Sequence, residues 1–174
     1  MNCVPLLIQQ NRNGSYFFNR SWAEFKVGFN DTKGNYWLGN DLLSQLTLSG
    51  RYKLRFDLQS RKNTSNWYNA EYSTFIVLTE AYNYRLQVAG YSGNAGLDSL
   101  GSRYHNGHMF TTYDRENDRW SGGNCAVGSG GGFWYGSCRW CGVNGARNSR
   151  HGFQWGGLPG GGGLQSSRMW LQCK

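Results

Sequence analysis

The sequence predicts a loop-rich α+β domain spanning residues 1–174, on three observations. An apolar stripe at helical spacing lies near the N-terminus, and strictly alternating segments follow it up to about residue 92. Beyond that point the composition turns to Gly, Asn, Ser and Asp interleaved with aromatic residues. Aromatics are 16% of the chain, and 26 Gly stand against only 2 Pro; large rings carried on glycine-rich connections suit sheet and ordered loop better than a helix bundle.

Ser21 can cap a helix through WAEFKVGF, where Trp22, Phe25 and Phe29 recur three and four residues apart, a stripe that reads as core. After the turn signal DTKGN, the segment YWLGNDLLSQLT places an Asn/Asp cap before a short helix with Leu42, Leu43 and Leu46 on one side. RYKLRFDLQ alternates: Tyr52, Leu54, Phe56 and Leu58 fall on one face of a strand, Lys53, Arg55 and Asp57 on the other. The polar turn RKNTSN leads to two further strands, AEYSTFIVLT and YRLQVAGYSG, completing a half-buried antiparallel sheet. Residues 1–92 therefore read as a central helix and sheet region and 93–174 as a loop-rich binding subdomain. The density of Trp, Tyr and Phe in that second part argues for ordered loops, the usual carriers of function.

Lys and Arg outnumber Asp and Glu by 18 to 10, a formal charge of +8 that favours anionic partners: cell-wall polymers, lipopolysaccharide or sulfated glycans. The sequence has no run of Lys and Arg that would track a phosphate backbone, so nucleic acid is not expected. Nor does any apolar stretch approach membrane-spanning length. The opening MNCVPLLIQQ is too short and polar for a secretory signal, so an export signal is expected upstream. Secretion itself is expected from five cysteines, at Cys3, Cys125, Cys138, Cys141 and Cys173, and from glycosylation sequons at Asn13, Asn19, Asn30 and Asn63. Disulfide use is favoured over zinc, because Cys138 and Cys141 have no second CxxC and the histidines lack ligand spacing.

Asp114-Arg-Glu-Asn-Asp118-Arg-Trp-Ser-Gly122 sets acids at alternate positions in a polar loop ending in Gly, a pattern suited to calcium although it is not an EF-hand. Around it stand WLGND, YSGNAG, HNG, GGNCA, GGGFWYGSC and VNG. Their order and spacing, from QQNRNGSYFFNRSW to SSRMWL, resemble the fibrinogen-related domains, the group that includes ficolins, tachylectins and the globes of fibrinogen, tenascins and angiopoietins.

The resemblance implies a fibrinogen C-terminal-like globe with a twisted antiparallel sheet, short helices and a calcium and ligand subdomain. Its calcium pattern falls on the side chains of Glu116 and Asp118 and the carbonyls of Trp120 and Gly122, with Asp114 an adjacent acid. Glu116 stands where the family prefers Asp, and an additional Gly separates the loop from Asn124 and Cys125. The family's loop disulfide maps onto Cys125 and Cys138, a closure worth about 3 kcal/mol in the loop-entropy model. A cis peptide is implied at Ser137-Cys138, beside a ligand pocket with Phe133, Trp134 and Tyr135 as aromatic wall. Acetyl-binding members carry His directly after that cysteine; here Arg139 takes the place, and its forked, permanent charge suits carboxylate, phosphate or sulfate. Arg147, Arg150 and His151 would lie on the same side.

The family normally has a further small N-terminal subdomain, and this sequence begins near the equivalent of its end. Cys3 is left without an obvious family partner, and pairing among Cys3, Cys141 and Cys173 is open. The expected function is a secreted, calcium-stabilised lectin of innate immunity that binds microbial glycans such as peptidoglycan or lipopolysaccharide, gaining avidity as a homo-oligomer. A receptor- or matrix-binding globe is the alternative. An enzyme is not expected, since no nucleophile elbow, HExxH or phosphate-cradling loop is present.

Overall fold

The computed structural model describes residues 4–101 and 103–174. The first helix forms where expected, as α1 (Trp22–Val27). Ser21 and Glu24 make a reciprocal capping box: the Ser21 hydroxyl accepts the Glu24 N–H while the Glu24 carboxylate accepts the Ser21 N–H at 2.9 Å. Gly28 ends the helix at φ 95°, a conformation that disfavours a side chain, and a Cβ there would press on the Leu38 carbonyl.

The second helix, α2 (Asn40–Leu48), is set differently from expectation. Gly39 is the N-cap, so Asn40 and Asp41 lie inside the first turn, and Leu42 is exposed. The buried face is Leu43, Ser44 and Thr47 instead. Thr47 explains why a polar residue is tolerated there: its hydroxyl donates to the Leu43 carbonyl at 2.9 Å and accepts the Val77 N–H at 3.0 Å, tying helix to sheet. Thr47→Val should leave that N–H unpaired and lower stability by about 1–3 kcal/mol in urea denaturation.

The strands that matter for the sheet are β1 (Leu6–Asn11), β2 (Phe29–Asn30), β3 (Tyr36–Trp37), β4 (Tyr52–Ser60), β5 (Trp67–Val77) and β6 (Leu86–Gly93). Short pieces follow, β7 (Phe110–Thr111), α3 (Cys125–Ser129), β8 (Phe133–Trp134), β9 (Cys141–Gly142) and β10 (Gln154–Trp155), before the long β11 (Leu164–Cys173). Seven strands make one sheet in the order β2-β3-β1-β11-β4-β5-β6. The alternation read in β4 holds, with Leu54, Phe56 and Leu58 fully buried. Residues 164–173, expected within the loop-rich half, return instead as β11 to the middle of the sheet, antiparallel to both β1 and β4. Register shifts mark bulges between Leu164 and Ser166 on β11 and between Leu7 and Gln9 on β1; β11 alternates in and out from Ser167 onward, but with Ser167 buried and Trp170 on the outer face its polar–apolar pattern is blurred.

The two parts of the molecule share one core. Phe25, Trp37, Phe110 and Trp134 meet across it, with Phe25 and Phe110 ring centres 5.0 Å apart and Phe110 and Trp134 5.2 Å apart. Each such buried ring contributes on the order of 2–3 kcal/mol. A buried polar seam adds specificity: Gln9 Nε2 donates to the Val143 carbonyl at 3.1 Å and Asn144 Oδ1 at 3.0 Å, and Asn11 Nδ2 reaches the same carbonyl at 3.0 Å. The VNG segment is thereby docked on β1, and the loops are held by the sheet.

Cys125 and Cys138 form a disulfide with Cα atoms 5.3 Å apart. Cys173 is also disulfide-bonded and Cys141 is a free, buried thiol, so a Cys141–Cys173 bridge does not form. Cys3 lies outside the described residues.

Candidate functional site

Three segments converge around the disulfide. The first is the acidic loop. Asp118 turns inward, its two oxygens accepting the Trp120 and Cys125 N–H groups at 2.9 Å each, which shapes the loop and fixes the start of α3. Asn124 caps that helix through the Ala126 and Val127 amides at 2.8 and 3.1 Å, and its Nδ2 holds the Thr112 carbonyl at 2.9 Å. Trp120 folds its indole back over Gly122, where a Cβ would sit 2.7 Å from Nε1. Asp114 faces elsewhere: it accepts the Trp22 N–H at 2.9 Å and the Thr112 hydroxyl at 2.7 Å, anchoring the loop to the start of α1.

The second segment is Gly136–Cys141, which contains the implied cis peptide at Ser137-Cys138. It is held from behind by His105, which is fully buried. His105 Nδ1 donates to the Trp134 carbonyl at 2.7 Å, and Nε2 accepts the amides of Trp140 at 2.8 Å and Cys141 at 2.9 Å. Only the neutral ring can do both, and burial pushes its pKa down to about 4. Gly136 exchanges bonds with both flanks, donating to the Tyr104 carbonyl at 2.8 Å and accepting the Arg119 N–H at 2.7 Å. A Cβ on Gly136 would lie 2.8 Å from His108 Nε2.

The third segment brings Arg150 and His151. Together Trp120, Ser137, Cys138, Arg139, Arg150 and His151 line a cavity of about 300 Å³. The Arg150 guanidinium stands 5.2 Å from the Trp120 ring centre and the His151 ring meets the indole edge-on at 5.9 Å. Among the described residues, neither Arg139 nor Arg150 has a carboxylate partner. Arg139 is half-buried, and its Nε is shielded from solvent with no acceptor. Burial lowers the Arg139 pKa from its ordinary value, and burial with the nearby Arg139 and Arg150 charges lowers that of His151. The cavity therefore presents two guanidiniums beside a neutral imidazole and an indole face. Such donors fit an oxyanion attached to an apolar or sugar framework.

A second cavity of about 360 Å³ adjoins it through Ser137, lined by Arg103, Tyr104, His108, Arg119 and Gly136. Trp140 and Tyr104 stack beside it at 6.0 Å and 12°.

The structure thus brings Ser137, Cys138, Arg139, Arg150 and His151 to one cavity, but not Phe133, Trp134 or Tyr135. Those three rings are fully buried in the core, where Trp134 Nε1 donates to the Tyr84 carbonyl and the Tyr135 hydroxyl to the Gly131 carbonyl, both at 2.7 Å. The aromatic surface comes from Trp120, expected only as a carbonyl donor. Arg147 is engaged with Gln165 at 2.8 Å, outside the cavity lining. His105 is a supporting residue that sequence reasoning did not single out; its local signal is that it opens the HNG triplet.

The loop offers hard oxygen donors for a cation. Glu116 is exposed and makes no hydrogen bond or ion pair with the described residues. Asp118 retains lone pairs beyond its two amide bonds, and backbone carbonyls at Trp120 and Gly122 lie in the same turn. No group of three or more His, Cys, Asp and Glu is assembled among the described residues, so a cation here would take two carboxylates and carbonyls, chemistry that suits calcium. No helix among the described residues is long and apolar enough to cross a membrane.

Sheet, loops and disulfide define a fibrinogen-type globe, and the protein belongs to that family: the family model for the C-terminal globular domain of fibrinogen beta and gamma chains matches residues 2–171. Human fibroleukin is 37% identical over 163 residues, 88% of this sequence and 36% of its own length. Human ficolin-3 is 37% identical over 156 residues, 86% of this sequence and 50% of its own length. The present sequence thus spans half or less of those relatives. The fibrinogen-like globe domain of human ANGPTL2 superposes with a TM-score of 0.86 at 34% identity, covering 97% of this protein and 80% of that one. Lamprey fibrin D-dimer, complexed with the peptide Gly-His-Arg-Pro-amide, superposes at 0.80 with 28% identity, covering 95% of this protein and 60% of that one.

Proposed function

We infer that this protein is a secreted recognition module, not an enzyme, that binds anionic or acetylated microbial glycans such as peptidoglycan or lipopolysaccharide in innate immunity. The observation that carries this reading is the pair Arg139 and Arg150, which among the described residues have no carboxylate partner and line one cavity with Ser137 and Cys138, Arg150 standing over Trp120. An indole face with fixed guanidiniums suits a sugar bearing carboxylate, phosphate or sulfate. Similarity to ficolin-3 supports the lectin reading at family level. The peptide named with the lamprey fibrin structure carries an amine and a guanidinium and ends in an amide, so it is cationic. A cavity lined by two arginines and no acid repels such a ligand. Single sites of this size bind weakly, and display as a homo-oligomer would supply avidity.

Calcium would be held by Glu116 and Asp118 with the Trp120 and Gly122 carbonyls. Bound there, it would add stiffness to the turn that presents Trp120. Calcium should raise the melting temperature by several degrees, and Glu116→Gln, which removes no contact within the protein, should abolish the rise while leaving the calcium-free melting temperature unchanged. An unaltered response in the variant would place calcium elsewhere.

The second reading is a receptor- or matrix-binding globe, favoured by the similarity to fibroleukin and to the ANGPTL2 globe. An array of microbial polysaccharides, acetylated sugars and sulfated glycans, probed with and without EDTA, separates the two. Selective, sugar-competable binding supports the lectin; a folded, calcium-loaded protein that binds nothing on the array directs attention to protein partners.

A further inference from the structure

The turn between β4 and β5 places Arg61 and Lys62 against the glycine run that precedes β11. Arg61, Lys62, Gly160, Gly161, Gly162 and Gly163 line a cavity of about 360 Å³, made of residues separate from those of the pocket above. The two segments are bonded directly, the Arg61 N–H donating to the Gly163 carbonyl at 3.0 Å. Arg61 lies on the glycine backbone: a Cβ on Gly163 would sit 3.4 Å from its Nε and 3.5 Å from its Cζ and Nη2. Gly160 and Gly161 have φ of 80° and 119°, and a side chain on either would meet nothing within 4 Å, so the loop edge is open. The N–H groups of Gly160 and Gly162 donate to no carbonyl among the described residues. A backbone of this kind exposes amides toward an anion.

Charge makes the place distinctive. The protein has ten acidic residues, and the one nearest in sequence to the turn, Asp57, is taken by Arg55 and Trp170 at 2.9 Å each. The remaining acids lie on other segments, and none pairs with Arg61 or Lys62 among the described residues. A neighbouring cavity of about 410 Å³ shares Lys62 and Gly160 and is lined further by Ser60, Asn63, Asn66, Tyr68 and Pro159. Those further residues are neutral, with side-chain amides beside a phenol ring and a proline. The first cavity suits a tetrahedral oxyanion, and the second suits the sugar ring that carries it.

We propose that Arg61, Lys62 and the Gly160–Gly163 backbone form a second binding site, for the sulfate or phosphate group of a substituted saccharide. It does not depend on the Arg139 pocket, and the two assignments stand or fall separately. Asn63 belongs to a sequon and to the second cavity, so the test uses the whole protein produced in a host that adds no N-glycans.

Amide NMR is followed while inorganic sulfate, or a heparin-derived tetrasaccharide, is titrated against chloride at matched ionic strength. Saturable shifts at Gly160–Gly163 are expected with sulfate, with tighter binding of the tetrasaccharide. Arg61→Gln with Lys62→Gln, both exposed positions, should weaken both by about tenfold or more, the loss expected of charge-assisted hydrogen bonds. Arg139→Ala should leave these shifts intact. Shifts that chloride reproduces, that fail to saturate, or that survive in the double variant overturn the site. Equal affinity for sulfate and tetrasaccharide overturns the saccharide assignment.

Discussion

Replacing Arg139 with alanine is expected to weaken binding of an anionic glycan by about 10- to 100-fold, the loss of one or two charge-assisted hydrogen bonds. The fold should survive the change, because among the described residues Arg139 has no carboxylate partner and its Nε no acceptor to lose. Binding by the unaltered protein should fall as salt rises. Arg139→Lys keeps the charge but not the fork, so it should recover only part of the affinity. Arg139→His places at this position the residue type of acetyl-binding relatives and should shift preference toward N-acetylated sugars. Isothermal titration with a uronate- or phosphate-bearing oligosaccharide and with N-acetylglucosamine reads all three variants. Unchanged affinity in Arg139→Ala would remove the pocket from the recognition mechanism.

His105→Ala is expected to be the most damaging single change to the site without touching ligand. It leaves the Trp140 and Cys141 amides without their acceptor and the Trp134 carbonyl without its donor, and it opens a cavity where the ring lay. A loss of about 3–5 kcal/mol in urea denaturation follows, together with loss of glycan binding as the segment around Ser137-Cys138 relaxes.

The same residue sets an acid limit. Its folded pKa of about 4 lies below the unfolded value near 6.5. Above pH 6.5 the ring is neutral in both states and contributes no pH dependence. Below it the unfolded state takes up the proton first, so stability falls as pH drops toward 4, by about 3 kcal/mol in all, and levels off once the folded ring also protonates. Urea midpoints measured from pH 7 to 4 should show this decline in the native protein and a shallower one in His105→Asn. Parallel curves would assign the acid sensitivity to other groups.

His105 also shows the limit of what local sequence encodes. As one histidine of three, in a turn, it is marked in sequence only as the first residue of HNG, and its contacts arise because three backbone groups from distant segments converge on its ring. Trp134 and Tyr135 show the same limit from the other side. Their neighbourhood in sequence, a glycine-rich loop before a cysteine, suggests exposed rings, yet they serve the core. Trp120, expected to contribute only its carbonyl, supplies the ring that the cavity uses.

Local physics settles much in advance. The Ser21–Glu24 capping box and the Tyr52–Leu58 alternation are contests between near neighbours, and the sequence decides them alone. Motif order is sufficient to place Cys125 opposite Cys138 and Arg139 at the pocket. Other features belong to the tertiary structure. Leu42 faces solvent because Gly39, not Asn40, begins its helix. Residues 164–173 become a central strand by pairing antiparallel with both β1 and β4, two strands far away in sequence, and the buried Ser167 with the outward Trp170 blurs the polar–apolar alternation that would have announced it. Spacing along a sequence records which residues share a face; which faces meet is decided by close packing over the whole core at once, and the cavity between Trp120, Arg139 and Arg150 lies where such faces meet.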